Sequence, residues 1–110
     1  MASLRQQKVS RLLQRDLGEI FQRESRNYFG GVLMTVTTVR ISPDLSFAKV
    51  YLSIFPSDNK EEVMLAVNKR SKEVRHLLGQ RVRHQLRIVP QLHFIIDDSL
   101  DYAERIDALL

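Results

Sequence analysis

Residues able to do chemistry are present in this chain, but their spacing excludes most of it. His76, His84 and His93 keep no metal-ligand spacing. Asp97 and Asp98 are a carboxylate pair only in sequence. Neighbouring residues at a strand exit point in different directions, and an exposed turn or helix cap accounts for them better than acid–base work. No serine sits in a G-x-S-x-G elbow. Gly30-Gly31 precedes a β-type stretch and not a helix, so it is no phosphate cradle. There is no cysteine, which removes disulfides and thiolate metal sites and fits a reducing compartment. The residues point to no catalysis, no cofactor, no metal and no small-molecule substrate.

What remains is charge. Within NKRSKEVRHLLGQRVRHQLR (68–87) seven side chains are Lys or Arg against one carboxylate, Glu73. Residues 97–107 (DDSLDYAERID) reverse the balance with five acids and one Arg. The net charge of +4 is modest, so clustering matters more than the total. Lys69, Arg70, Ser71, Lys72, Arg75, Arg81 and Arg83 form the main candidate surface for phosphate contact. Such contact is salt-dependent and largely sequence-neutral. Arg5, Lys8, Arg11 and Arg15 form a second basic stripe. The sequence alone leaves open whether the two share one face. A solvated helix face is the plain alternative for either.

The elements that position these residues follow from periodicity. Ser3 and Gln6 make a capping box that starts a helix at about Leu4. Val9, Leu13, Leu17 and Ile20 carry its apolar stripe to about Ser25. Asn27, Gly30 and Gly31 then mark a loop. VLMTVTTVRI (32–41) is β-branched and apolar, and FAKVYLSIF (47–55) alternates. With a turn at Ser42-Pro43-Asp44-Leu45, the two predict an antiparallel hairpin covered on one side only. Phe47, Tyr51 and Phe55 share one side of the second strand. They are read as hairpin support before a base-stacking platform.

Helical periodicity resumes at Val63, Val67, Val74 and Leu78. In one straight helix Arg70 would point into the apolar stripe, and so would Arg81. Arg81 lies near a helix end, but Arg70 does not. The pattern therefore predicts two helices, or one kinked helix, interrupted near Arg70-Ser71-Lys72. LRIVPQLHFII (86–96) alternates and predicts a third strand with Pro90 at an edge or bulge. The order α-β-β-α-(kink)-α-β predicts an α+β domain of two layers, a three-stranded sheet with helices packed on one face. At 110 residues it is read as a single domain, 1–110, with an acidic C-terminal tail from about 97. No apolar run reaches membrane-span length and no signal-peptide h-region is present, so a cytoplasmic monomer is the expectation.

Two long stretches resemble bacterial ribosome-binding factor A: TVTTVRISPDLSFAKVYLSIF (35–55) and VRHLLGQRVRHQLRIVPQLHFIIDDS (74–99). The resemblance covers about residues 3–105. It implies a type II K-homology-like fold with an Ala-x-Gly kink motif in place of a G-x-x-G loop. Aligned through Leu77-Leu78-Gly79, that motif falls on Arg70-Ser71-Lys72, where neither Ala nor Gly is present. Asn27-Tyr28-Phe29 likewise departs from the family's Asp-Pro-Arg. The resemblance further implies a non-enzymatic RNA-binding assembly factor. Such a factor binds the small (30S) ribosomal subunit and its rRNA and promotes late 16S rRNA maturation, with importance in the cold. The alternative is a protein-interaction module whose basic helical face docks on an acidic partner.

Overall fold

The computed structural model describes residues 2–98. The tail expected from about residue 97 therefore lies, beyond Asp98, outside the described residues. Helix α1 spans Leu4–Tyr28, strand β1 Leu33–Ile41, strand β2 Phe47–Phe55, helix α2 Lys60–Lys69, helix α3 Ser71–Val82 and strand β3 Gln91–Ile96. A 3-10 turn, Ser57–Asn59, leads into α2. This is the expected order, and with the strands arranged β1-β2-β3 it is the α+β, K-homology-like architecture.

Both halves of the capping box are formed. The Ser3 hydroxyl accepts from the Gln6 amide at 3.1 Å, and the Gln6 carboxamide oxygen accepts from the Ser3 amide at 2.8 Å. From there α1 runs for 25 residues, about 37 Å, three residues beyond the expected end near Ser25. Asn27 is thus helical, and the loop begins later. Phe29 explains the extension, since it is buried and its ring lies 5.9 Å from that of Phe21. The chain then reverses through Gly30 and Gly31, at φ 71° and 72°, a conformation glycine adopts without steric cost.

β1 and β2 pair antiparallel and β3 joins β2 in parallel. Met34, Val36, Val39 and Ile41 of β1 and Ala48, Val50, Leu52 and Ile54 of β2 are buried with the apolar residues of the three helices. In β1 the register shifts between Val36 and Thr38, so Thr37 is the extra residue of a bulge. That residue lets Val36 and Val39, three apart, face the same way. The Gln14 carboxamide donates to the carbonyls of Val36 and Thr37, both at 3.1 Å. Gln6 donates to Ile41 O and the Ser25 hydroxyl to Val32 O. Side chains of α1 thereby satisfy carbonyls along the outer side of β1, an edge otherwise open to another strand.

The third strand is shorter than expected. It starts at Gln91, whose amide donates to Ser46 O at 2.9 Å, and not at Leu86. The amides of Gln85 and Leu86 turn back to Val82 O, while Leu86 is buried and Ile88 is 74% exposed. Leu86 and Ile88, which a strand would place on one face, are therefore not in one phase of burial, and 86–90 has no strand ladder. Pro90, expected at an edge or bulge, is buried immediately before the strand.

Helix α3 is held to α1 by charge. Arg81 donates to Asp16 at 3.2 Å and also to Glu19. The hydrogen bond to Glu19 holds the guanidinium's pKa above its ordinary value, and the same contact lowers that of Glu19. Asp16 is buried, so loss of Arg81 leaves a desolvated carboxylate without its α3 partner. Arg81→Met is expected to destabilise the fold by about 2 kcal/mol, a fall in Tm of roughly 10 °C. Adding Asp16→Ala should cost less than the sum of the two single changes in thermal unfolding.

The β1–β2 turn makes a pH prediction. Asp44 accepts from the hydroxyls of Ser46 and Ser42, both at 2.7 Å, and from the Ser46 amide at 3.1 Å. Led by the Ser46 hydroxyl, these bonds lower its pKa from 3.8 to about 2. A depressed carboxylate pKa means the turn's contribution is complete above the unfolded value and is lost as pH falls through about 2. An NMR titration should find Asp44 near 2, and Ser42→Ala with Ser46→Ala should return it toward 3.8.

Candidate nucleic-acid interface

The expected interruption between α2 and α3 is a single residue. Arg70 has φ −104° and ψ 16°, in the bridge region between helical and extended backbone, and α3 restarts at Ser71. Its amide still donates to Ala66 O and Val67 O, both at 3.1 Å, and its carbonyl accepts from Val74 at 3.0 Å. The break therefore leaves the Arg70 amide and carbonyl both paired. Its side chain leaves the apolar stripe altogether. The guanidinium lies 3.6 Å from the centroid of the Tyr28 ring, at the end of α1, and bonds Glu73 at 3.0 Å.

Beyond the break, α3 and the 89–92 segment enclose an open groove of about 680 Å³. Ser71, Lys72, Arg75, His76 and Arg83 line one wall, and Val89, Gln91 and Leu92 the other. Gly79 forms part of the floor, where a Cβ would stand 3.3 Å from a Val89 methyl. A larger residue there would press on Val89 and narrow the groove. Arg75 ties the two walls together, donating to Val89 O at 2.6 Å and Pro90 O at 3.1 Å. Without those bonds, the carbonyls before β3 would face the groove.

The expected basic residues thus fall into separate groups. Arg70, Arg75 and Arg81 are engaged inside the fold by Tyr28 and Glu73, by the 89–90 carbonyls, and by Asp16 and Glu19. Lys69, Lys72 and Arg83 are exposed, and of these Lys72 and Arg83 line the groove. Arg5, Lys8, Arg11 and Arg15 are exposed along α1, and none of them lines the groove. Arg5 faces a separate depression with Asp44 and Arg87, and Arg11 another with Arg40 and Pro43. The structure does not bring the two basic stripes into one cleft. His76, which the charge count passed over, belongs to the groove wall and pairs with Gln80 at 3.3 Å. Its position one helical turn from Lys72 was the available signal.

Among the described residues no cluster of His, Cys, Asp or Glu could hold a metal ion, and no helix is long and apolar enough to cross a membrane. The Asp97 carboxylate accepts from the Thr37 hydroxyl at 2.5 Å, across the sheet.

Comparison with known proteins agrees with this architecture. The sequence profile of ribosome-binding factor A matches residues 5–110. Ribosome-binding factor A of Cytophaga hutchinsonii is 47% identical over 110 residues, covering 100% of this chain and 83% of that protein. The crystal structure of ribosome-binding factor A from Thermus thermophilus superposes with a TM-score of 0.69 at 27% identity, over 83% of this chain and 94% of that one. A Thermus thermophilus homology model fitted into a cryo-EM map of a 30S complex with the factor gives 0.61 at 30% identity, over 79% and 89%. The chain belongs to the ribosome-binding factor A family.

Proposed function

We propose that this chain is a non-enzymatic assembly factor, one K-homology-like domain that binds the small ribosomal subunit through its 16S rRNA. The observation that carries the reading is the groove beside α3, where Lys72 and Arg83 stand exposed and form no ion pair among the described residues, with Lys69 exposed just before the break. Phosphates attract such cations and release counterions on contact. Arg70, Arg75 and Arg81 then act by holding the walls, while the α1 stripe (Arg5, Lys8, Arg11 and Arg15) offers a separate strip of positive charge to neighbouring rRNA. The relative fitted into a 30S complex supports the choice of partner.

In action, the factor favours one rRNA conformation by binding it more tightly than the alternatives, which is all that binding can do to an equilibrium. Late maturation of the small-subunit rRNA, with greatest effect in the cold where misfolded RNA is slow to rearrange, is the role this suits. It works in the cytoplasm, as a monomer, without a cofactor.

Co-sedimentation of the protein with mature and precursor small subunits across a salt series tests this. Binding should favour the small subunit and weaken steeply with salt. Lys72→Glu with Arg83→Glu should lower affinity and reduce the salt slope by about one for each cation removed. Unchanged binding after RNase treatment would point instead to an acidic protein partner. Absence of binding at low salt would remove the assembly-factor reading.

A further inference from the structure

The helices cover one face of the sheet, and the other carries an arrangement that the fold does not need. Its outward positions from the turn end are Phe47, Lys49 and Tyr51 on β2, Gln91 and His93 on β3, and Arg40 on β1. In register, Arg40 lies beside Lys49 and Lys49 beside His93. The rings of Phe47 and His93 are stacked, centroids 6.1 Å apart and planes 27° apart, and no helix covers them. Phe47 is 40% exposed. Arg40 stands 5.9 Å from the centroid of the Tyr51 ring, near the outer limit of a cation–π contact, so it shields that ring only loosely.

Spacing and charge point to an occupant. Phe47 and Tyr51 are four residues apart on one strand, about 13 Å, too far for a single base to touch both. Between them Lys49 is exposed on the same face, flanked by Arg40. The outward positions of the three strands hold no carboxylate. Beyond them, Asp44 in the turn is bonded by two hydroxyls, and Asp97 and Asp98 after β3 share a shallow depression with Arg40 and Tyr51, Asp97 being bonded by the Thr37 hydroxyl. An aromatic surface, then cations, then a second aromatic is the pattern that single-stranded nucleic acid requires: bases stack on rings while the backbone follows positive charge. An acidic protein would be served by the cations but would leave the rings without a role.

We propose that this open face is a second RNA contact, separate from the groove, which takes two unpaired bases of a single strand on Phe47–His93 and on Tyr51 and its backbone on Lys49 and Arg40. The proposal rests on the RNA-binding reading above and extends it to a surface that the helices do not touch.

An NMR titration with an oligoadenylate of about ten nucleotides, within the footprint of single-strand binders, tests it. The amide and ring signals of Phe47, Tyr51 and His93 should shift. Phe47→Ala with Tyr51→Ala should weaken binding by about fivefold or more. Lys49→Glu, an exposed position where folding is not at stake, should also weaken it with thermal unfolding unchanged. Shifts confined to Lys72, Arg83 and the groove would overturn this site and leave the groove reading intact. So would small-subunit binding with no oligoadenylate response on the sheet. Shifts of this face that depend on protein concentration in the absence of RNA would overturn it too, by identifying a second copy of the chain as the occupant. Loss of both oligoadenylate and subunit binding would remove both readings.

Discussion

A cation cannot be left inside an apolar helix stripe unless something answers its charge. Two of them, Arg70 and Arg81, fall on the stripe that would run through residues 60–83, and the arrangement of the helices follows from how each is answered. Both partners come from α1. Tyr28, at its C-terminal end, lies under Arg70 at the start of α3, while Asp16 and Glu19, near its middle, hold Arg81 at the end of α3. Eleven residues separate the two arginines, and nine to twelve separate Tyr28 from the two acids. The helices therefore run antiparallel, with matched spacing along both axes. Moving Arg70 off the stripe breaks the helix, and anchoring Arg81 fixes where α3 lies against α1. The groove wall is set by the pair.

That constraint was half visible in the sequence. Periodicity identified Arg70 and Arg81 as the two misfits and located the break, because a 100° step per residue is a local property. It did not identify the partners, which lie more than forty residues upstream. For the same reason it treated Lys69, Arg70, Lys72, Arg75, Arg81 and Arg83 as equivalent. Only the fold separates Arg75, which bridges to Val89 and Pro90, from Lys72 one turn earlier, which faces the groove. Charge density along a chain measures how many cations there are, not how many remain available.

The strands show the same division between local and long-range information. The hairpin and its turn were legible because alternation and turn chemistry are local. The β1 bulge was legible too, although unread: Met34 and Val36 are in one phase, Val39 and Ile41 in the other, with Thr37-Thr38 between. An inserted residue is the simplest way to keep both pairs inward. The false start of β3 at Leu86 has a different cause. Apolar residues at Leu86 and Ile88 imitate a strand in the sequence, but in the fold one is buried and the other exposed, and a ladder needs free backbone partners. In this segment the Val89 and Pro90 carbonyls accept from Arg75, and Pro90 has no amide to give. Alternation of residue types suggests a strand, and hydrogen bonding decides whether there is one.

The missing Ala-x-Gly motif at the break can be understood in these terms. Glycine lowers the backbone cost of leaving a helix, but the conformation adopted at Arg70 does not demand it, since its φ is negative and its strain small. In this chain a side chain holds the bend: the guanidinium is stacked on Tyr28 and paired with Glu73, and the Tyr28 contact takes it off the apolar stripe. Tyr28 itself stands in the other place where the chain departs from the family pattern, Asn27-Tyr28-Phe29. The two departures are in contact, Arg70 of one lying over the Tyr28 ring of the other. An arginine–tyrosine anchor holds the bend in this chain, and the groove wall begins at the residue after it.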